Sequence, residues 1–394
     1  IAVDVDNDGD LDLFLANNGV ADELWINDGT ASFVDSAGTT TDLSSSWGAG
    51  TSSSPATWTA GADGTLHICA DTWYVHVEID GYDVDLNGVD GSATTVLDGA
   101  GSGPVVSVSN ATSTVSGLTI QNGSASLGGG MFVDTTTLTA DDLVVTDNSA
   151  TSDGGGIYTT ASALDLSSLT IDGNAATNDG GGLMVDGGTT TTLDNVTITT
   201  NSAGAYGGGI MFDTTTGAQS ITNSDISSNL ASNYGGGIAC SNASSPLTIE
   251  DSTFDSNTAT FYFGGAMDLD ECTASLDTVS LDSNASSRGG GINTNANLEL
   301  MDVDLTNGTA SWGGALYLAL SSGESCTMSG GSVEDNTAAY YAGGVYASLS
   351  GTATFDVTST DFSGNSPYSV RVVSVGNYTY GTSATFTCDS SGCM

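Results

Sequence analysis

The sequence predicts an all-β solenoid of stacked parallel strands, and three observations predict it. An Asn followed about nine residues later by Gly-Gly and a hydrophobic residue recurs nine times between Asn122 and Val345. The hydrophobic markers are Met131, Ile157, Leu183, Ile210, Ile238, Met267, Ile292, Leu316 and Val345, spaced 24 to 29 residues apart. A period of that length marks units that stack on their neighbours because none can bury its apolar face alone. Second, the units are Thr/Val/Ile/Leu/Ser runs broken by Gly, Asn and Asp, with only 4 Pro in 394 residues. They lack a long stretch of period 3.6, which favours strands over helices. Third, an apolar residue stands three positions before the Asn in eight of ten units, as one inward-facing column requires.

The elements follow in order. Residues 1–35 read as one small β unit. An acidic loop containing Asp4, Asp6, Asp8, Gly9, Asp10 and Asp12 leads into an alternating strand, Leu11 to Leu15, then Leu24-Trp25-Ile26 and an Asn27-Asp28-Gly29 turn. Asp4, Asp6, Asp8 and Asp12 fall at the first, third, fifth and ninth positions around Gly9, and Asp10 offers its carbonyl from the seventh. Several hard oxygen ligands in so short a loop suit calcium. With Leu11-Asp12-Leu13, Leu24-Trp25 and the turn, the segment resembles a blade of the FG-GAP or VCBS family of calcium-loop β-propellers. One such blade is present, so the chain is expected to be a piece of a larger or processed precursor. Residues 36–64, rich in Ser, Thr, Gly and Ala without periodicity, read as a linker or irregular lead-in. Residues 65–365 read as the solenoid, with its first turns between Thr65 and Val108, and 366–394 as a strand-rich cap or joining segment.

Within the solenoid, residues of equal phase stack about 4.8 Å apart. Asn122, Asn148, Asn174, Asn201, Asn229, Asn257, Asn284, Asn307, Asn336 and Asn365 are therefore expected to form an amide ladder. The column three positions earlier, Val145, Ile171, Ile198, Ile226, Phe254, Leu281, Val333 and Phe362, points inward. Four residues before the marker stand Leu127, Asp153, Asp179, Tyr206, Tyr234, Phe263, Arg288, Trp312 and Tyr341. From Tyr206 onward this column predicts an aromatic stripe with one Arg in it. Such a stripe either shields the turn edge by ring stacking or offers a platform to a sugar chain or protein partner.

Register also assigns the cysteines. Cys240, in phase with Phe212 and Leu269, is expected to point inward as a small hydrophobe, and Cys326 likewise in phase with Leu164 and Leu247. Cys272 lies three residues past the position stacked on Cys240, about 10 Å along an extended strand and too far for a bridge. Cys388 and Cys393 bracket a short loop and are the expected disulfide, with Cys69 unassigned. His67, Cys69 and His76 match no compact zinc spacing. Asp83-x-Asp85-x-Asn87-Gly88 alternates with Val84 and Leu86 and reads as an ordinary strand and turn.

Phe254-Asp255-Ser256-Asn257 followed by Gly264-Gly265-Ala266-Met267 is a repeat of the Phe-x-x-Asn and Gly-Gly-Ala-Ile type. From residue 66 onward the chain resembles right-handed parallel β-helix proteins, in particular polymorphic outer-membrane proteins and related autotransporter passengers. The resemblance implies a right-handed parallel β-helix of about eleven coils, roughly 50 Å long at the strand spacing. It speaks to architecture, since one solenoid serves adhesins, lyases, hydrolases and fibres.

Charge narrows the functions. Against 47 acidic residues the chain sets 2 basic ones, for a net charge of -45. The basic residues are Arg288 and Arg371. Such a surface repels nucleic acid, anionic membranes and polyuronates, and no apolar run is long enough to span a bilayer. A polyuronate lyase needs cations to neutralise its substrate, which this composition does not supply. Inverting glycoside hydrolysis needs only two carboxylates, but no Asp/Glu pair shares a coil neighbourhood with a flanking His, Arg or Lys. The expectation is an extracellular structural or adhesive surface protein without catalysis, self-associating head-to-tail as a filament subunit. The alternatives are a glycan-binding module built on the aromatic stripe and an inverting polysaccharide hydrolase. Asn110, Asn195, Asn242 and Asn377 stand in Asn-x-Ser/Thr acceptor sequences.

Overall fold

A computed structural model describes residues 50–68, 70–188 and 190–373 in full, and residues 2–3, 12–15, 23–25, 377–380, 388–389 and 392–393 by backbone alone. The solenoid is a stack of parallel strands of about eleven turns. The described residues contain no helix, and so none long and apolar enough to cross a membrane.

Each coil opens with a strand that starts at the hydrophobic marker, as in Ile238–Ser241, and the next coil lays Met267–Asp270 on it in register, Ile238 on Met267 and Cys240 on Leu269. The strand ends three residues past the marker, where one residue in the left-handed region turns the chain. Thr135, Ala161, Thr214, Asn242 and Glu271 take this place with φ between 48° and 54°. Two further strands follow, such as Leu247–Glu250 and Thr253–Asp255, before the Asn corner. In earlier coils the two run on as one, as in Thr137–Thr146. Two-residue strands such as Leu230–Ala231 then lead into the glycine turn. Here successive loops approach so closely that a Cβ on Gly236 would lie 2.4 Å from the Gly265 carbonyl oxygen.

Inward residues of the longer strands merge into one apolar core from Trp58 to Val370. The stack begins before residue 65: Ala56–Thr59, inside the expected linker, pairs in parallel with Val75 to Glu78. It also runs past residue 365, with Val370 to Val373 pairing on Val345 to Ser348. The N-terminal unit holds three antiparallel strands, Ala2–Val3, Asp12–Leu15 and Glu23–Trp25.

The Asn ladder occupies the corner after the third strand, with two corrections. Six consecutive members, Asn148 to Asn284, are buried, and a second run joins Asn336 to Asn365. Asn229 is typical: its Nδ2 donates to the Ile198 carbonyl at 2.9 Å and to Asn257 Oδ1 at 3.1 Å, while its Oδ1 accepts from the Asn201 backbone N at 3.0 Å. Every polar valence of the amide is thus used without water. Asn122 and Asn307 stand outside the ladder. Each is one residue early, in the left-handed corner at φ 53°, with its Nδ2 turned to Asp98 and Asp282 respectively. Gly123 and Gly308 take the ladder places and donate their backbone N–H to Asn148 and Asn336. Bulges at Ala125/Leu127 and Ala310/Trp312 hid the slip by changing the loop length by one residue. The same slip explains the two units without an inward apolar residue, since counting back three from Gly123 and Gly308 reaches the buried Ile120 and Leu305.

The cysteine assignment also needs correction. Cys240 points inward, but it is bridged to Cys272 with a Cα–Cα separation of 5.9 Å. The 10 Å expectation assumed an extended chain. Glu271, at φ 51°, instead turns the corner and folds Cys272 back into the interior, in the small-residue column of Thr136, Ser162, Gly188 and Thr215. Cys326 is free and buried between Leu298 and Phe355, and burial pushes its thiol far above the usual range. The backbones of Cys388 and Cys393 pair in antiparallel fashion, and their side chains lie outside the described residues.

Candidate functional site

Two outward columns lie side by side on one face. The first is the stripe four residues before the marker, and the structure holds it in register from Leu127 on Asp153 to Trp312 on Tyr341. The second is the residue after the marker, which sequence analysis did not single out: Phe132, Tyr158, Met184, Met211, Ala239, Asp268, Asn293, Tyr317, Tyr346 and Arg371. It could have been read from the alignment as a column rich in rings and Met on the outer face of a strand.

The rings pack in two layers. Tyr206 stacks on Tyr234 with centroids 5.0 Å apart, and Tyr234 on Tyr262 at 5.1 Å. Tyr262 replaces Phe263 in this stack, because Phe263 meets Tyr234 edge-on at 76°. Further along, Trp312 meets Tyr341 edge-on at 84° and leans on Tyr346, which stacks on Tyr317 at 5.2 Å. Tyr317 and Tyr346 are buried beneath the stripe. Stacked rings spend their faces on each other, so the inner layer cements the coils. Next to the stripe in sequence, Phe261, Tyr262 and Tyr340 remain 65%, 46% and 67% exposed, Tyr262 with one face stacked on Tyr234. Arg288 fills the gap between the groups, its guanidinium carbon 4.7 Å from the Phe263 centroid and 5.3 Å from those of Trp312 and Tyr317.

One carboxylate interrupts the second column. Asp268 replaces the Met of earlier coils and is buried, accepting from Asn293 Nδ2 at 2.7 Å. Burial pushes its pKa up to about 7, and neighbouring Asp270 adds to this. Asp270, two residues on, shares the outward face of the same strand but is exposed. Alternation sets two such carboxylates roughly 6.5 Å apart along the strand. Asp179 in the stripe is raised to about 6, chiefly by burial, although the Tyr206 N–H it accepts opposes the rise. Burial and the carboxylates of Asp268 and Asp270 raise the hydroxyls of Tyr206 and Tyr234 as well. The face therefore joins a protonatable buried acid, an exposed acid, a guanidinium and aromatic surface. Neither Asp268 nor Asp270 was singled out by sequence analysis.

Other candidates are structural. His76 Nδ1 lies 2.8 Å from the Pro104 carbonyl and its Nε2 3.2 Å from Ser102 Oγ, while His67 contacts Asn87. A cleft lined by Tyr74, Asp98, Asn122, Asp147 and Ser149 has the Asp98 carboxylate committed to Gln121 and Asn122 at 2.8 Å each. No group of three or more metal-binding side chains occurs among the described residues. Asp4, Asp6, Asp8 and Asp10 lie outside them, as does the side chain of Asp12.

Residues 104–279 match the family model described as right handed beta helix region. Comparison with curated proteins gave no match, and neither did comparison with solved structures. That match and the solenoid topology together make the chain a repeat protein of right-handed parallel β-helix architecture.

Proposed function

We propose that the chain is an extracellular adhesive rod that holds a glycan against its aromatic face and performs no catalysis on it. The carrying observation is the exposure of Phe261, Tyr262 and Tyr340, next in sequence to a stripe of stacked rings. Large aromatic side chains left so exposed are costly in water where they gather, unless a partner covers them. A buried disulfide supports an oxidising, extracellular setting, and the acidic surface keeps such a rod soluble. Head-to-tail self-association belongs to the same reading, because a parallel stack lengthens through the bonds that join its own coils. So does calcium held by Asp4, Asp6, Asp8, Asp10 and Asp12, which calorimetry on the intact chain would detect.

The test is capture on a glycan array by the intact protein and by Phe261→Ala and Tyr262→Ala variants. Both positions are exposed, so folding should survive. Glycan capture by the native protein that both variants lose supports the reading, and no capture by the native protein overturns it.

A second reading is inverting glycoside hydrolysis, favoured by Asp268 and Asp270 on one strand face. A buried protonated acid and an exposed carboxylate at this spacing are the two groups that reaction needs. Release of reducing ends from neutral polysaccharides, abolished by Asp270→Asn, would replace the adhesive reading with this one.

A further inference from the structure

The chain has 2 basic side chains among 47 acidic ones, and both lie on the aromatic face. Arg288 is held over Phe263, Trp312 and Tyr317, and the guanidinium carbon of Arg371 lies 4.4 Å from the Tyr341 centroid. Among the described residues Arg288 forms no ion pair, and no side chain or carbonyl accepts from its guanidinium. In so acidic a molecule an arginine placed at random on the surface would find a carboxylate. The three rings instead hold the guanidinium within 5.3 Å of their centroids, and because rings do not accept conventional N–H bonds its donors are left for a ligand. A planar fork of donors held in this way matches a carboxylate in bidentate geometry, which an ammonium cannot do.

Beside this fork lies the partly exposed ring of Tyr262, packed edge-on to Phe263 and suited to the apolar face of a sugar. The net charge limits how many anions the ligand can carry. A polyuronate would be repelled along its whole length, whereas one carboxylate on a neutral saccharide meets that field once, and salt screens it beyond about 8 Å. We propose that Arg288, clamped by Phe263, Trp312 and Tyr317, anchors a subsite for a saccharide bearing a single carboxylate. The proposal rests on the adhesive reading and names the ligand chemistry of that same face.

The experiment is calorimetric titration of the intact protein with sialyllactose, which carries one carboxylate, and with lactose, its neutral core. Sialyllactose is expected to bind about tenfold more tightly than lactose, the effect of one charge-assisted pair. Arg288→Gln should bring the two affinities within about twofold of each other. If Arg288→Gln fails to fold, Arg288→Lys keeps the charge but not the fork, and should lose most of the preference. Equal affinities in the native protein, or a preference that survives in the folded variant, would overturn the inference and leave the adhesive reading standing. Failure of both sugars, and of every glycan on the array, would overturn the two together.

Discussion

At the residue scale, the Asn ladder and Asp268 show opposite uses of a buried polar group. Asn229 is fully satisfied by its neighbours above and below. Asn229→Ala strands the Ile198 carbonyl and the Asn201 N–H in the interior, and should cost about 1 to 3 kcal/mol. An unchanged midpoint in chemical denaturation would show the ladder to be dispensable. Asp268 carries a penalty instead. Its folded pKa of about 7 lies above the ordinary aspartate value of 3.8, so the folded state holds the proton more tightly. Stability on this account is fullest below pH 4, falls as pH rises toward 7 and levels off above it. Asp268→Asn keeps an acceptor for Asn293 and removes the ionisation, so it should stabilise the protein at pH 8 by up to about 4 kcal/mol and hardly at all at pH 4. Equal effects at the two pH values would contradict burial as the cause.

At the element scale, the coil is the unit of stability, and its corners decide the geometry. The disulfide closes 32 residues, joining the first strand of one coil to the following corner of the next. Loop-closure entropy sets its contribution at about 3 to 4 kcal/mol. Cys240→Ser should therefore lower the melting temperature with little change in far-ultraviolet circular dichroism, since strand pairing on either side does not need the bridge. A variant that melts like the native protein would show that stacking alone fixes this corner. The two ring layers divide labour at the same scale. Replacing Tyr346, buried between Tyr317 and Trp312, should destabilise the protein, whereas replacing Tyr340 should not.

At the scale of the whole molecule, the period, the inward column and the marker register were legible in the sequence, because parallel stacking converts equal phase directly into contact. The stripe from Tyr206 to Tyr341 was legible for the same reason. Tertiary structure decided whatever depended on the path between strands. One-residue bulges moved Asn122 and Asn307 off the ladder, and a left-handed Glu271 turned Cys272 onto Cys240. Only the stack brought Arg288 of one coil against Tyr317 of the next, since side chains distant in sequence meet across coils whose loops set their lateral offset. The sequence by itself determined a repeating strand whose apolar side must be covered by the next copy of itself. Which outward side chains then share a face was decided by corner conformation, because one residue at positive φ redirects everything after it in a way that periodicity does not encode.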